Sequence, residues 1–182
     1  PLNLAPTAST TATLAIGDAL GLAVSRRRNF TADEFHKHHP GGMLGIGLRT
    51  ITEIIRLKVG ENLPVIQDNT SVGDALEQAR PANGVRRAGA ILLVDNEGKL
   101  TGIFTDGDLR RLVVDDSAPM ERVISEVSTR NPRRLLASSL VRDAKQLVTE
   151  YRVDEIPVVD DANIPIGLID VQDLIAMKVV SE

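Results

Sequence analysis

GIFTDGDLRR (residues 102–111) and GLIDVQDLIA (residues 167–176) follow one pattern, 65 positions apart. Each opens with Gly and two apolar residues. Each places an Asp six residues after that Gly, Asp108 or Asp173, and then enters an apolar-rich run. An apolar stretch that ends in Thr-x-x-Asp reads as a strand passing into a helix. The Thr105 hydroxyl is set to accept from a backbone N–H in the first helical turn. The copies differ where the helix starts: Thr105 in the first, Asp170 in the second.

Working outward, the residues before each turn also repeat. Residues 90–94 and 100–104 read as strands joined by the turn Asp95-Asn96-Glu97-Gly98. Residues 156–159 and 164–169 are their counterparts, joined by 160–163. Upstream, Asn69-Thr70-Ser71 precedes Val72, Ala75, Leu76 and Ala79, and Ser138-Ser139 precedes Leu140, Ala144, Leu147 and Val148. Both sets have helical spacing after a capping cluster. The helices align at an offset of 69, so the first copy is four residues longer ahead of its paired strands. Pro81, Asn83 and Gly84 fill that length as a loop. The last helix is expected to run from Asp170 to about Val180.

The chain therefore carries a duplicated helix–strand–strand–helix unit, an α/β (α+β) architecture of two pseudo-symmetric halves. One unit buries too little apolar surface to stand alone; two packed together cover each other's open face and leave a cleft between related turns. The boundaries expected are 50–116 and 117–182, after a separate segment 1–49. In that segment residues 11–28 have a helical pattern with a basic end, Arg26–Arg28. Thr31-x-x-Glu34 has capping-box form and starts a second short helix, which Pro40-Gly41-Gly42 ends. Residues 42–49 read as a linker.

Composition narrows the function classes. Apolar residues make up 42% of the 182 and aromatics 2%, so the cores are aliphatic. A net charge of −4 argues against broad nucleic-acid binding. With no Cys there is no disulfide, thiolate metal site or Cys nucleophile, which fits a cytoplasmic setting. No apolar run is long enough to span a bilayer, and neither nucleic acid nor membrane is expected as a partner. A start on Pro rather than Met suggests a piece of a longer protein.

The turn itself has two readings. Thr105 and Asp108 suffice as a helix-capping pair. Alternatively, helix-start N–H groups attract anions while a hydroxyl and a carboxylate hold ribose hydroxyls. Asp108 would repel a phosphate and is assigned to sugar hydroxyls; Arg86, Arg87, Arg110 and Arg111 are the candidate phosphate partners. Further cations, Arg130, Arg133 and Arg134, lie in the TRNPRR stretch, where they could equally form a solvated basic loop.

The two units resemble cystathionine-β-synthase (CBS) domains, whose tandem pairs (Bateman modules) often bind adenosyl or other nucleotide ligands. The family's ligand signature is Gly–apolar–x–Thr/Ser–x–x–Asp. Gly102, Ile103, Phe104, Thr105, Asp106 and Asp108 span it in full. Gly167 and Asp173 match in the second copy, where Asp170 replaces the hydroxyl and adds a carboxylate. The resemblance implies a ligand site kept at the first turn and altered or empty at the second. It also implies homodimers, with Leu109, Leu112, Val113, Leu174, Ile175 and Met177 as a candidate face.

The front segment, PTASTTATLAIGDAL followed by HKHHPGGMLG, resembles the end of the sugar isomerase (SIS) domain of arabinose-5-phosphate isomerases, which join such a domain to a C-terminal CBS pair. That resemblance implies a homotetrameric parent converting ribulose 5-phosphate to arabinose 5-phosphate on the way to Kdo and lipopolysaccharide. His39 matches an active-site His of the family, although it could simply pack or cap a helix end. The phosphate loop and the Lys and Glu of SIS chemistry have no counterpart here, so this chain is expected to be inactive. The implied role is allosteric: a nucleotide or nucleotide-sugar sensor, with CMP-Kdo as end-product ligand and AMP or ATP as runner-up. An assembly module without ligand is the alternative. No cofactor is required by this reading. His36-x-His38-His39 lacks a completing carboxylate or Cys, so no metal site is expected.

Overall fold

The computed structural model describes residues 6–31, 34–35, 46–80 and 88–180. They fall into two compact units, Pro1–Gly45 and Ile46–Glu182.

In the first unit α1 spans Ala8–Arg27. It begins ahead of Thr11 because hydroxyls fold back onto carbonyls one turn earlier: Thr10 onto Pro6 O (3.2 Å), Thr11 onto Thr7 O (3.1 Å) and Thr13 onto Ser9 O (2.9 Å). Arg26 and Arg27 occupy its last turn. Asn29, at φ 51°, takes the left-handed conformation that ends the helix. The Thr31–Glu34 box forms as expected: Thr31 N donates to Glu34 Oε2 (3.0 Å) and Glu34 N to Thr31 Oγ1 (3.2 Å).

The second unit holds two four-stranded sheets. One runs β2 (Val65–Gln67), β3 (Ala90–Val94), β4 (Leu100–Thr105), β5 (Thr129–Arg130). The other runs β6 (Leu135–Leu136), β7 (Glu155–Val159), β8 (Pro165–Asp170), β1 (Leu57–Lys58). In each, the first pair is parallel and the rest antiparallel. The helices are α2 (Val72–Gln78), α3 (Asp106–Asp115), α4 (Ile124–Val127), α5 (Val141–Tyr151) and α6 (Val171–Ala176). Short 3-10 turns lie at Ile51–Glu53 and Pro119–Glu121.

The expected strand–turn–helix repeat is present, with additions. A short parallel strand, β2 or β6, precedes the helix of each half. The fourth strand of each sheet comes from the segment ahead of the other half: β5 pairs with β4 through Gly102↔Arg130, and β1 pairs with β8 through Gly167↔Lys58. Two- and three-residue strands carry too little periodicity to stand out in sequence. Residues 46–49, read as linker, are half-buried, and Ile46 packs on the core of the second half. Helix α6 stops at Ala176 rather than near Val180, because the chain turns at Lys178 (φ 58°) to bury Val179. The cap of α5 is Leu140, not Ser138 or Ser139: the Asp143 carboxylate accepts from Leu140 N at 2.8 Å, and Ser139 Oγ accepts from Leu136 N instead.

Every residue of β3 is buried because both sheet faces are covered. Ile91, Leu93 and Phe104 face α2 and α3 with Val72, Ala75 and Ile124. Leu92, Leu100 and Ile103 share the other face with Leu57, Val159 and Leu168 from the second sheet. This shared aliphatic layer joins the halves; each fully buried Leu, Ile or Val stabilises it by about 1.5–3 kcal/mol. Asn163 adds a polar link: its backbone carbonyl accepts from Leu100 N (2.9 Å) and its Nδ2 donates to Leu100 O (3.1 Å). Among the described residues no helix is long and apolar enough to cross a membrane.

Candidate functional site: the cleft beside the first turn

A cleft of about 480 Å³ opens beside the first turn. Among the described residues its lining runs from Gly60 to Leu109, so it is built within the first half rather than between the two turns. The reason is the shared aliphatic layer, which fills the space between the sheets. Ile91 and Phe104 floor the cleft, Leu76 and Pro64 wall it, and Thr105 and Asp106 bring polar groups to it. Such a mixture, apolar with a few convergent polar groups, suits a small organic ligand.

The turn that supplies those polar groups is a complete capping box. Thr105 N and Thr105 Oγ1 both donate to Asp108 Oδ2 at 2.9 Å, and Asp108 N donates to Thr105 Oγ1 at 3.2 Å. The other carboxylate oxygen of Asp108 accepts from Arg111. Asp108, only 8% exposed, is therefore held on both oxygens by its own turn and does not line the cleft. Asp106 does; its backbone N–H donates to Gly89 O at 2.9 Å, tying the start of α3 to the residue ahead of β3.

Gly102 lies in β4 away from the cleft. A Cβ there would come within 3.2 Å of Thr129 O and 3.3 Å of Leu93 Cδ1. At Gly167 a Cβ would fall 2.7 Å from Ile55 Cγ2 and 2.9 Å from Leu57 O. Both glycines make room for the strand contributed from ahead of the other half. Ile103 belongs to the shared layer and Phe104 to the cleft floor.

The second turn is wired differently. Asp170 Oδ1 accepts from Gln172 N at 2.8 Å, capping α6. Asp173, 6% exposed, receives Arg56 Nη1 at 3.4 Å from the segment ahead of β1. Arg133 is not at the first turn; its guanidinium stacks 3.6 Å over the Tyr151 ring, and Arg134 is exposed beside it in sequence. His39, Arg86 and Arg87 lie outside the described residues. Leu174 is fully buried in the core of its own half and is not available to a dimer face, whereas Val113 is exposed. Among the described residues no group of three or more His, Asp or Glu is placed to hold a metal ion.

Sequence reasoning placed neither Pro64 nor Leu76 at a site; Pro64, just ahead of β2, and Leu76, in α2, both line the cleft. Sequence reasoning also passed over Glu155, the first residue of β7, which pairs in register with Asp170. Its carboxyl stands beside Gly89, with Oε1 3.3 Å from where a Cβ would be. Burial, then the neighbouring charges of Asp154, Asp170, Asp106 and Asp108, pushes its pKa up to about 7.

Known proteins place this arrangement. A family model described as CBS domain matches residues 51–115 and 124–179. The arabinose 5-phosphate isomerase of Francisella tularensis is 36% identical over 98% of this chain and 53% of its own length. That of Pseudomonas aeruginosa is 39% identical over 96% of this chain and 52% of its own. The chain thus spans about half the length of these relatives. Among solved structures, CBSX2 in complex with AMP aligns at a TM-score of 0.57 with 25% identity, covering 71% of this chain and 95% of that one. The CBS pair of MJ0100, in complex with 5′-methylthioadenosine and S-adenosyl-L-methionine, aligns at 0.59 with 21% identity, covering 72% and 96%. With both repeats matched and the tandem fold reproduced, the chain belongs to the CBS domain family.

Proposed function

We propose that the chain is the regulatory part of an arabinose-5-phosphate isomerase, and that it binds a nucleotide or nucleotide sugar in the cleft beside Thr105. The observation that carries this reading is the cleft itself. It joins an apolar floor, Ile91 and Phe104, to the polar turn Thr105–Asp106 at a helix start. A flat base fits the first, and the Asp106 carboxylate at the second suits sugar hydroxyls. Support for the parent enzyme comes from similarity across nearly the whole chain to arabinose 5-phosphate isomerases; support for the ligand class comes from AMP in the CBSX2 complex. CMP-Kdo is the first ligand to test, as the activated end product expected of such a pathway, with AMP and ATP next. In this reading the chain biases the parent's activity and performs no isomerisation itself.

Calorimetric titration with CMP-Kdo, CMP, AMP and ATP tests it. Asp106→Ala and Leu76→Arg serve as cleft variants. Saturable binding of one ligand, lost in both variants, is the expected result. The complete internal pairing of Thr105 and Asp108 favours a second reading, in which the turns only cap helices and the pair serves assembly. No binding by any of the four ligands would favour that reading over the first.

A further inference from the structure

Glu155 occupies the place in the second half that Ala90 holds in the first: Ala90 pairs with Thr105, and Glu155 pairs with Asp170. The repeat therefore puts a carboxyl on one side where the other has a methyl. That carboxyl does not stay within its own half. It reaches Gly89, whose carbonyl receives the Asp106 N–H and which itself lines the cleft. Among the described residues, the charges facing it are acidic from every side. Asp154 precedes it, Asp170 stands across the ladder, and Asp106 and Asp108 come from the first turn. Of the two arginines that α3 carries there, Arg111 is paired with Asp108 and Arg110 is exposed.

We propose that Glu155 is the charge-selecting residue of the first-half cleft: protonated it lets an anionic ligand settle beside Asp106, and ionised it repels one. This rests on the reading of that cleft as a nucleotide site. The physical basis is Coulombic. A further negative charge behind Gly89, in a half-buried position, weakens the binding of an anion at the adjoining turn and leaves a neutral ligand untouched. The group changes charge near neutrality, because burial and its acidic neighbours hold its proton up to about pH 7. Ala90 marks the alternative on the same scaffold, and Glu155→Ala copies it.

The test titrates the 182-residue chain, Glu155→Gln and Glu155→Ala with AMP and with adenosine at pH 6 and pH 8. AMP's own second ionisation falls near pH 6, so the readout is the ratio of variant to wild-type affinity at each pH. The expected ratio for AMP is near one at pH 6 and rises to about fivefold at pH 8. For adenosine it stays near one throughout. Equal AMP ratios at both pH values, with binding intact, would overturn the charge-selecting role alone. Binding of AMP and adenosine to none of the three proteins at either pH would overturn this role, while the nucleotide reading itself falls only if CMP-Kdo, CMP and ATP fail as well.

Discussion

Arg56 Nη1 lies 3.4 Å from Asp173 Oδ1, a contact between residues 117 positions apart. It is made by the segment that also sends β1 into the second sheet, so it ties the entry of the first half to the last helix. In the first half the matching carboxylate, Asp108, is paired within its own helix by Arg111. The two Asp residues of one repeated motif thus have different partners: one local, one long-range. Replacing Arg56 by Met removes one cationic partner from a buried carboxylate. The Arg56 side chain is 60% exposed, so the expected loss is modest, about 1 kcal/mol. Arg111→Met should cost no more, because its bond is local and its side chain is also largely exposed. Urea denaturation of both variants checks the order. Equal midpoints with wild type for Arg56→Met would remove any structural weight from the long-range contact.

The two signature glycines make a sharper comparison. A methyl at Gly167 meets the Leu57 carbonyl at 2.9 Å and Ile55 at 2.7 Å, and the backbone contact has no rotamer escape. At Gly102 the nearest approach is 3.2 Å, to Thr129 O. Gly167→Ala is expected to cost about 2–3 kcal/mol and Gly102→Ala about 1 kcal/mol. Thermal unfolding of the two single variants decides it; a larger loss at Gly102 would contradict the tighter packing of β1 against β8.

Which parts of this fold the sequence revealed depends on signal length. The strands around GIFTDGDLRR and GLIDVQDLIA were legible because a Gly and two apolar residues run into a polar cap, and the same spacing recurs. The strand exchange was not. Leu57–Lys58 and Thr129–Arg130 are two residues each, and their pairing is fixed by tertiary contact, with Leu57 buried in the shared layer. At the candidate site, Thr105 and Phe104 were readable from the motif. Asp108 as the capping partner was readable from the Thr-x-x-Asp spacing; that Asp106, two residues earlier, lines the cleft in its place was not, because residues distant in the chain, Pro64 and Leu76 among them, complete that cleft. Glu155 gave no signal because its neighbours Asp106 and Asp108 are distant in the chain.

Glu155 also predicts how stability without ligand depends on pH. Its carboxyl titrates near 4.5 in an unstructured chain and about 7 in the fold. Below about pH 4.5 it is protonated in both states and carries no penalty. As pH rises toward 7 the unfolded chain releases the proton while the folded one holds it, and stability falls until the folded group has ionised. The expected loss between pH 5 and pH 8 is about 1–2 kcal/mol, after allowing for solvent screening of a half-exposed group. Glu155→Gln should remove that component, so the two melting profiles converge at pH 5 and separate at pH 8, with the variant more stable. Parallel profiles would show that the carboxyl is not held in acidic, half-buried surroundings.

Thr105 separates a cap from a ligand contact. Its hydroxyl accepts from Asp108 N and donates to Asp108 Oδ2. Thr105→Ala is expected to destabilise by about 1 kcal/mol, and Thr105→Ser by much less, since Ser caps equally well. If the cap alone explains the residue, nucleotide affinity in Thr105→Ser matches wild type. Thr105→Ala should then lose affinity only through a displaced turn, which circular dichroism and the melting midpoint register together. A loss of binding in Thr105→Ala with an unchanged midpoint would instead assign the hydroxyl to the ligand.

The second compact unit begins at Ile46, and the described residues of its sheets, cores and cleft all lie within it. A chain starting at Ile46 should therefore unfold in one cooperative transition with the midpoint of the longer chain. Helix α1 presents Leu14, Ile16, Leu20, Leu22 and Val24 to solvent, with Leu22 73% exposed. Apolar side chains around a whole helix have no aqueous reason to stay uncovered. Removing residues 1–45 should accordingly lower self-association of the isolated chain, read by sedimentation velocity across a concentration series. Starting instead at Leu57 should lower the midpoint by about 10 °C or more, on the order of 2–4 kcal/mol, because Ile51, Ile54 and Ile55 are then missing from the core of the second half. If that shorter chain melted like the one beginning at Ile46, the entry segment would be an ornament rather than part of the second half's core.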